Sequence, residues 1–176
     1  TSYRWMNANV VRQWVTPTSW YRNIGITAGG EQEFNWDGLR TFQGINFYFG
    51  MELPNYWRIR TMAIHQFMSD DDRLTRGGPV AKGDGYTFGN VQLSTDPRRM
   101  AVFDFAVRAA RGVDERTPML QVQPGLALKP MSSLYIQLAP VYRVSDDAAQ
   151  YVTTVADPTA VAFGGRRYVF ADIRPR

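Results

Sequence analysis

The sequence predicts an all-β fold: an antiparallel up-and-down transmembrane β-barrel of about ten strands, partial rather than closed, with 1–176 as a single barrel domain or a fragment of a larger barrel. Three observations predict it. Apolar and polar residues alternate with period two in runs about ten residues long, the length a tilted strand needs to cross a bilayer. Such runs are longer than the roughly five or six residues usual for strands of globular proteins. The connections sort into tight turns and longer, more charged loops, an asymmetry found in outer-membrane barrels.

The alternation is clearest where Ile45, Phe47, Phe49, Met51 and Leu53 oppose Gly44, Asn46, Tyr48, Gly50 and Glu52. A strand puts these two sets on opposite faces. Leu120, Val122, Pro124, Leu126 and Leu128 oppose Gln121, Gln123, Gly125 and Lys129 in the same way. Leu134, Ile136, Leu138 and Tyr142 oppose Gln137 and Arg143, and Phe103 and Phe105 oppose Asp104. Strands are expected near 3–15, 19–31, 38–52, 56–69, 86–95, 98–111, 117–129, 132–144, 148–156 and 161–172. The first and fourth alternate poorly, because Arg4, Arg12, Arg58 and Arg60 fall among apolar residues. Tight turns are expected at 16–19, 54–55, 96–97 and 130–131, and longer charged connections at 32–37, 69–85, 112–116 and 145–149. Prolines 124 and 140 sit mid-strand and require edge positions or bulges.

Composition limits the chemistry. Hydrophobic residues make up 44% and charged residues 20% of the chain, and mean hydropathy is −0.33. No apolar run approaches the roughly 20 residues of a transmembrane helix. Without cysteine there are no disulfides, thiol nucleophiles or thiolate metal sites. Net charge is +4, but the basic residues are scattered, which speaks against nucleic acid as a partner. Thr1-Ser2-Tyr3-Arg4-Trp5 has no basic segment leading into an apolar core. An outer-membrane chain needs such a leader, so the expectation is that it was removed or that the chain begins inside a longer polypeptide.

Four segments occur in order: Arg73-Leu74-Thr75-Arg76-Gly77-Gly78-Pro79, Ser94-Thr95-Asp96-Pro97-Arg98-Arg99, Gln150-Tyr151-Val152 and Arg167-Tyr168-Val169-Phe170-Ala171-Asp172. On these, nearly the whole chain resembles the C-terminal outer-membrane β-barrel domain of unknown function in bacterial proteins with an N-terminal family-nine carbohydrate-binding-like module. The resemblance implies an outer-membrane location, a long precursor and further strands after the last segment. It carries no catalytic residues. The carbohydrate-binding module is absent from this sequence.

Several residues suggest chemistry. Asp70, Asp71 and Asp72 are weak candidates for holding a hard cation such as calcium, but their spacing lacks the glycine and terminal glutamate of a helix-loop-helix calcium loop. Arg73, Arg76, Gly77, Gly78 and Pro79 read as an ordered loop, on the surface in preference to folding inward across a lumen. His65 is the only histidine and reads as structural or lumen-lining. Trp5, Trp14, Trp20, Trp36 and Trp57 lie near strand ends, as in an interfacial girdle or an ordinary core. Glu31 and Glu33 share a face, the weakest form of a glycosidase pair.

Taken together, Asn46, Gln121, Gln123, Gln137 and Arg143 are expected to face a lumen, and Phe47, Phe49, Phe105, Leu126 and Leu138 to face lipid. The expected role is structural, anchoring or pore-like, with no catalytic chemistry and no cofactor. Expected partners are outer-membrane lipid and further strands or modules of the same polypeptide, or other subunits. Residues 3–15 and 168–173 are expected not to seal a barrel by pairing with each other. The alternatives are a soluble β-rich carbohydrate-binding or interaction domain, which would use the apolar face as its core, and a membrane-associated hydrolase.

Overall fold

A computed structural model describes residues 3–113, 118–145 and 147–173. Arg174-Pro175-Arg176, Thr1-Ser2 and most of the expected 112–116 connection lie outside them. The fold is all-β and antiparallel. A nine-stranded sheet contains β1 (Tyr3–Trp14), β2 (Asn23–Asn35), β3 (Arg40–Glu52), β4 (Arg58–Gln66), β7 (Tyr86–Ser94), β8 (Ala101–Gly112), β9 (Met119–Met131), β10 (Leu134–Leu138) and β11 (Tyr142–Ser145). Each main strand pairs with the next along the chain, as an up-and-down meander requires. The connection between β4 and β7 holds a small hairpin of β5 (Ser69–Asp71) and β6 (Ala81–Gly83), and β12 (Asp147–Ala156) pairs with β13 (Arg166–Ile173) in a sheet of its own.

The sequence reading is corrected at four places. The ninth and tenth expected strands do not extend the meander but form the separate β12–β13 hairpin, whose second strand begins after a 3-10 turn at Val161–Phe163. The 69–85 connection contains strands. The expected 32–37 loop is largely strand, because β2 runs to Asn35 and only 36–39 turn the chain. The eighth expected strand is broken into β10 and β11.

Two prolines explain that break. Leu138 pairs with Leu126 and Tyr142 with Val122, which sets Pro140 opposite Pro124. The Lys129 N–H donates to the Met100 carbonyl, so odd-numbered residues of β9 direct their backbone toward β8 and even-numbered ones toward β10 and β11. The pair at 124 and 140 would therefore exchange two ladder hydrogen bonds, and proline supplies neither donor.

Register keeps the two faces separate across the whole sheet. Thr27 pairs with Tyr48, Tyr48 with Met62, Met62 with Asn90, Asn90 with Arg108, Arg108 with Gln121 and Gln121 with Arg143. One row on the other face runs from Ala28 through Phe47, Ala63, Gly89 and Ala109 to Leu120. Directly paired residues share a face, so one side is rich in Asn, Gln, Arg and Glu and the other in Phe, Leu, Ile and Val.

Burial on these faces is inverted relative to a soluble sheet. On the apolar side Leu138 is 60% exposed, Phe103 58% and Phe47 41%. No second sheet covers them. Among the described residues the only buried hydrophobics are Val102, Ala106 and Ala127, and no side chain is fully buried. All three lie on the polar side, since Val102 pairs with Ala127 and Ala106 with Gln123. No ladder joins β1 to β10, β11 or β13, so the described strands form an open sheet and not a closed barrel.

Close strand contact fixes where side chains can be added. A Cβ at Gly29 would run into the Asn9 side chain and the Ala8 carbonyl, whereas one at Gly50 meets nothing. Gly29→Val is therefore expected to destabilise the refolded protein by about 1–3 kcal/mol. Gly50→Ala should stay within about 0.5 kcal/mol of the parent. A urea titration of both variants checks this.

Candidate functional site

The polar side of the sheet, with the loops at its two ends, gathers most of the polar side chains singled out above. Asn46, Gln121, Gln123, Gln137 and Arg143 all lie on it by register: Asn46 pairs with Gly29 and Ile64, Gln123 with Ala106, and Gln137 with Ala127. The Arg108 guanidinium donates to Gln123 Oε1 at 3.1 Å. A recess of about 560 Å³ opens on this side, lined by Thr27, Tyr48, Arg58, Arg60, Asn90 and Gln92 among others. Asn46 Oδ1, Arg58 Nε and Asn90 Oδ1 are buried and find no hydrogen-bond partner among the described residues. Buried polar atoms are nearly always satisfied, so these three mark where the protein leaves hydrogen-bonding capacity open.

At one end of the sheet the long loop folds onto the polar side. Tyr3 and Glu33 lie on that side, and Trp5 pairs with Glu33 beside them. The Tyr3 hydroxyl donates to Asp72 Oδ1 at 3.1 Å, and Asn35 Nδ2 donates to Asp72 Oδ2 at 3.1 Å. Arg73 Nε donates to the Tyr3 oxygen at 2.6 Å, its guanidinium lies 3.9 Å from the centre of the Tyr3 ring, and it reaches Glu33 at 4.0 Å. The hydrogen bond to Tyr3, supported by the charges of Glu33 and Asp72, raises the Arg73 pKa further. The start of the loop thus rests on Tyr3, Glu33 and Asn35 of β1 and β2 on the polar side.

The three aspartates serve three separate structures. Asp70 is bound by the Lys82 ammonium across the β5–β6 hairpin. Asp71 Oδ1 accepts from the backbone N–H groups of Arg73 and Leu74, both at 2.8 Å, and so caps the turn. Asp72 holds the β1–β2 end. Among the described residues no group of three or more His, Asp or Glu is placed to hold a metal. Beyond them, Arg76 and Gly77 take left-handed backbone angles, Gly78 lies against the Tyr168 ring, and Arg76 sits 5.1 Å from the Tyr151 ring. The carbonyl of Pro79 accepts from Thr75 Oγ1 at 2.8 Å. The β12–β13 hairpin therefore packs on this loop.

The opposite end carries a second cluster. Asp96 is buried, and Arg98 clasps it through Nε at 2.9 Å and Nη2 at 2.8 Å, while the Arg98 backbone N–H donates at 3.0 Å. Arg98 lies 3.2 Å and Arg22 4.1 Å from the centre of the Tyr56 ring, and Arg22 pairs with Glu52 at 3.0 Å. Three separate connections, those after β1, β3 and β7, are joined in this way.

His65, read from the sequence as structural or lumen-lining, is on the apolar side; its Nδ1 lies 2.8 Å from Thr87 Oγ1, its pairing partner. Trp14, Trp20 and Trp57 cluster at the Tyr56 end and Trp36 at the other, but Trp5 is on the polar side, stacked on Phe42 at 5.4 Å. Glu33 accepts from Thr41 Oγ1 at 2.7 Å and lies near Arg73, so its carboxylate is already engaged. Sequence reasoning missed Tyr3, Asn35, Tyr56 and Asp96 as cluster residues. Only the 73–79 and 94–99 segments had drawn attention to these ends.

The arrangement defines a class, an antiparallel meander with one polar and one apolar side and polar latches at both ends. Comparison with family models, with curated proteins and with solved structures finds no match for the chain.

The Arg98 side-chain hydrogen bonds, with its backbone N–H and the charges of Arg98 and Arg99, lower the Asp96 pKa from 3.8 to about 2, against the opposing effect of burial. The folded-state value lies below the ordinary one, so the clasp stabilises fully above pH 3.8 and that contribution disappears as pH falls through about 2. NMR signals of Tyr56 and Arg98 should hold steady from neutral pH to about 4 and shift only below it. Asp96→Asn should abolish that transition. At the other end, Arg73→Ala is expected to raise amide exchange in the 69–83 segment at least tenfold, the rough effect of losing a charge-assisted contact, while leaving β7–β9 protected.

Proposed function

We propose that this chain is a segment of a bacterial outer-membrane β-barrel with a structural, anchoring or pore-like role and no catalytic chemistry of its own. The inverted burial carries the reading. Soluble proteins rarely leave a continuous apolar face uncovered, and a large one marks contact with another apolar medium. Here the uncovered side includes Met6, Val10, Phe47, Phe103, Phe105 and Leu138. Lipid suits it because the side is broad, runs across every main strand and has Trp14 near one end, with Trp20, Trp36 and Trp57 in the connections at the two ends. The β1, β2, β3, β8 and β9 ladders are long enough to cross a hydrocarbon core when tilted.

In this reading the polar side faces a lumen, and the long loop, held by the Tyr3–Arg73 contact, lies at its mouth. An open sheet cannot rest in hydrocarbon, because unpaired N–H and C=O groups cost several kcal/mol each. Further strands of the same polypeptide or another subunit therefore cover β1 and the β10–β11 edge. The resemblance to the barrel domain behind a family-nine carbohydrate-binding-like module agrees with this reading and makes anchoring of such a module one of its roles. A soluble carbohydrate-binding sheet would need a cover for the apolar side.

Substitution separates lipid from a protein cover. If Leu126 lies at mid-bilayer, Leu126→Arg should cost about 2–4 kcal/mol in a lipid refolding titration, and Gln123→Arg, on the other face, much less. Equal tolerance at the two positions, or a protein that folds fully without detergent or lipid, would count against the barrel.

A further inference from the structure

We propose that the recess on the polar side is a binding site for small hydroxylated carboxylates, with Arg58 and Arg60 holding the carboxylate and Asn90 reading a hydroxyl. The inference deepens the pore reading and rests on it in one respect, that the polar side meets water.

Charge is the first argument. Arg58 and Arg60 are two residues apart on β4 and point to the same side, roughly 6.5–7 Å apart at the rise of a strand. Neither has an ion-pair partner among the described residues. The acid in the lining, Glu52, pairs directly with Arg58 across the β3–β4 ladder and also forms an ion pair with Arg22 at 3.0 Å, so this one carboxylate is shared among several guanidinium groups. Arg108, paired with Asn90 and so adjacent on the same side though outside the recess lining, adds a third guanidinium, which donates to the neutral amide of Gln123. Asp104, on the same side of β8, pairs with Ser94, which in turn pairs with Arg58, so it lies two strands from Arg58, roughly 10 Å away, with Ser94 between them. Glu31 and Glu33 lie toward the Arg73 end. The recess is therefore a local excess of positive charge, and its arginines can bind carboxylate oxygens in bidentate fashion.

Hydrogen-bonding capacity is the second argument, and it is independent of charge. Arg58 Nε is a buried donor without an acceptor, and Asn90 Oδ1 is a buried acceptor without a donor. Asn46 Oδ1, two residues from Tyr48 on the same side of β3, repeats the pattern. An anion alone satisfies the donor and leaves the acceptors open. A hydroxyl both donates and accepts, so it serves the asparagine amide in either orientation. A molecule with both groups completes the set. The volume of about 560 Å³ is within the usual range of roughly 300–1,000 Å³ for small-molecule sites.

The test is calorimetric titration of the refolded protein in detergent at low salt with L-tartrate and with succinate, which share their charge but differ in hydroxyls. Tartrate should bind several-fold more tightly than succinate. Arg58→Gln/Arg60→Gln should weaken both at least tenfold, and Asn90→Ala should erase the preference for tartrate while sparing succinate. Arg4→Gln/Arg12→Gln, on the apolar side of β1, should change nothing. If the double variant at 58 and 60 fails to refold, the exposed Arg60→Gln alone and Asn90→Ala carry the test. No saturable binding, equal affinity for the two anions, or equal losses from the Arg4/Arg12 pair would overturn the proposal. A protein that inserts into vesicles and binds neither anion keeps the barrel reading and loses the site. One that binds tartrate in micelles but never inserts does the reverse.

Discussion

Strand register is the constraint on which the rest of this structure depends. A slip of one residue in any ladder would carry every later side chain to the opposite face. Arg108 would then join Phe47, and Leu120 would join Asn46. No such slip occurs between β1 and β9; the bulge at Thr41 is confined to the end of β3. With no packed core beneath the sheet, backbone hydrogen bonding and cross-strand pairs hold the architecture, and the burial of large apolar side chains contributes little among the described residues.

The two ends of the sheet do work that a core does elsewhere. At one, Tyr56 lies between Arg22 and Arg98, and Asp96 locks Arg98 in place. At the other, Asp72 and Arg73 fasten the long loop to Tyr3 and Asn35. Each latch joins segments that are distant in sequence, whereas the ladders of the main sheet join strands that follow one another, apart from β4 with β7 and β9 with β11. The middle of the polar side is left with few internal contacts, and there the unpartnered atoms of Arg58, Asn46 and Asn90 collect.

Much of this was legible in the sequence because period two is a local signal. The bounds of β1, β3, β7, β8 and β9 lie within a few residues of those expected, and the two faces around Phe47 and Gln121 are those read from alternation. What was not legible depends on pairing. Arg58 and Arg60 blur the pattern of β4 because Met62 and Ile64 share their face, and only the ladder to Asn90 and Gln92 shows that face to be polar. Pro124 and Pro140 each read as a local irregularity, and their effect appears only when register sets them opposite one another. The β5–β6 hairpin was missed because Ser69–Asp71 is too short and polar to alternate. The clusters at the two ends were missed for a similar reason, since Tyr3 and Arg73 are 70 residues apart.

The nearest-neighbour order of the sheet also bears on how the chain acquires its shape. Apart from the excursion between β4 and β7, each ladder closes only a short loop, so the entropy lost in forming it is small and successive hairpins can add one at a time. The contacts of Tyr3 with Asp72 and Arg73 link the first strand to a loop formed only after the fourth, and those of Arg76 with Tyr151 and Gly78 with Tyr168 span more sequence still. Their entropic cost falls once the intervening hairpins have brought the partners together. The chain can thus assemble its ladders progressively and fasten the long loop to the polar side once the strands beneath it are in place.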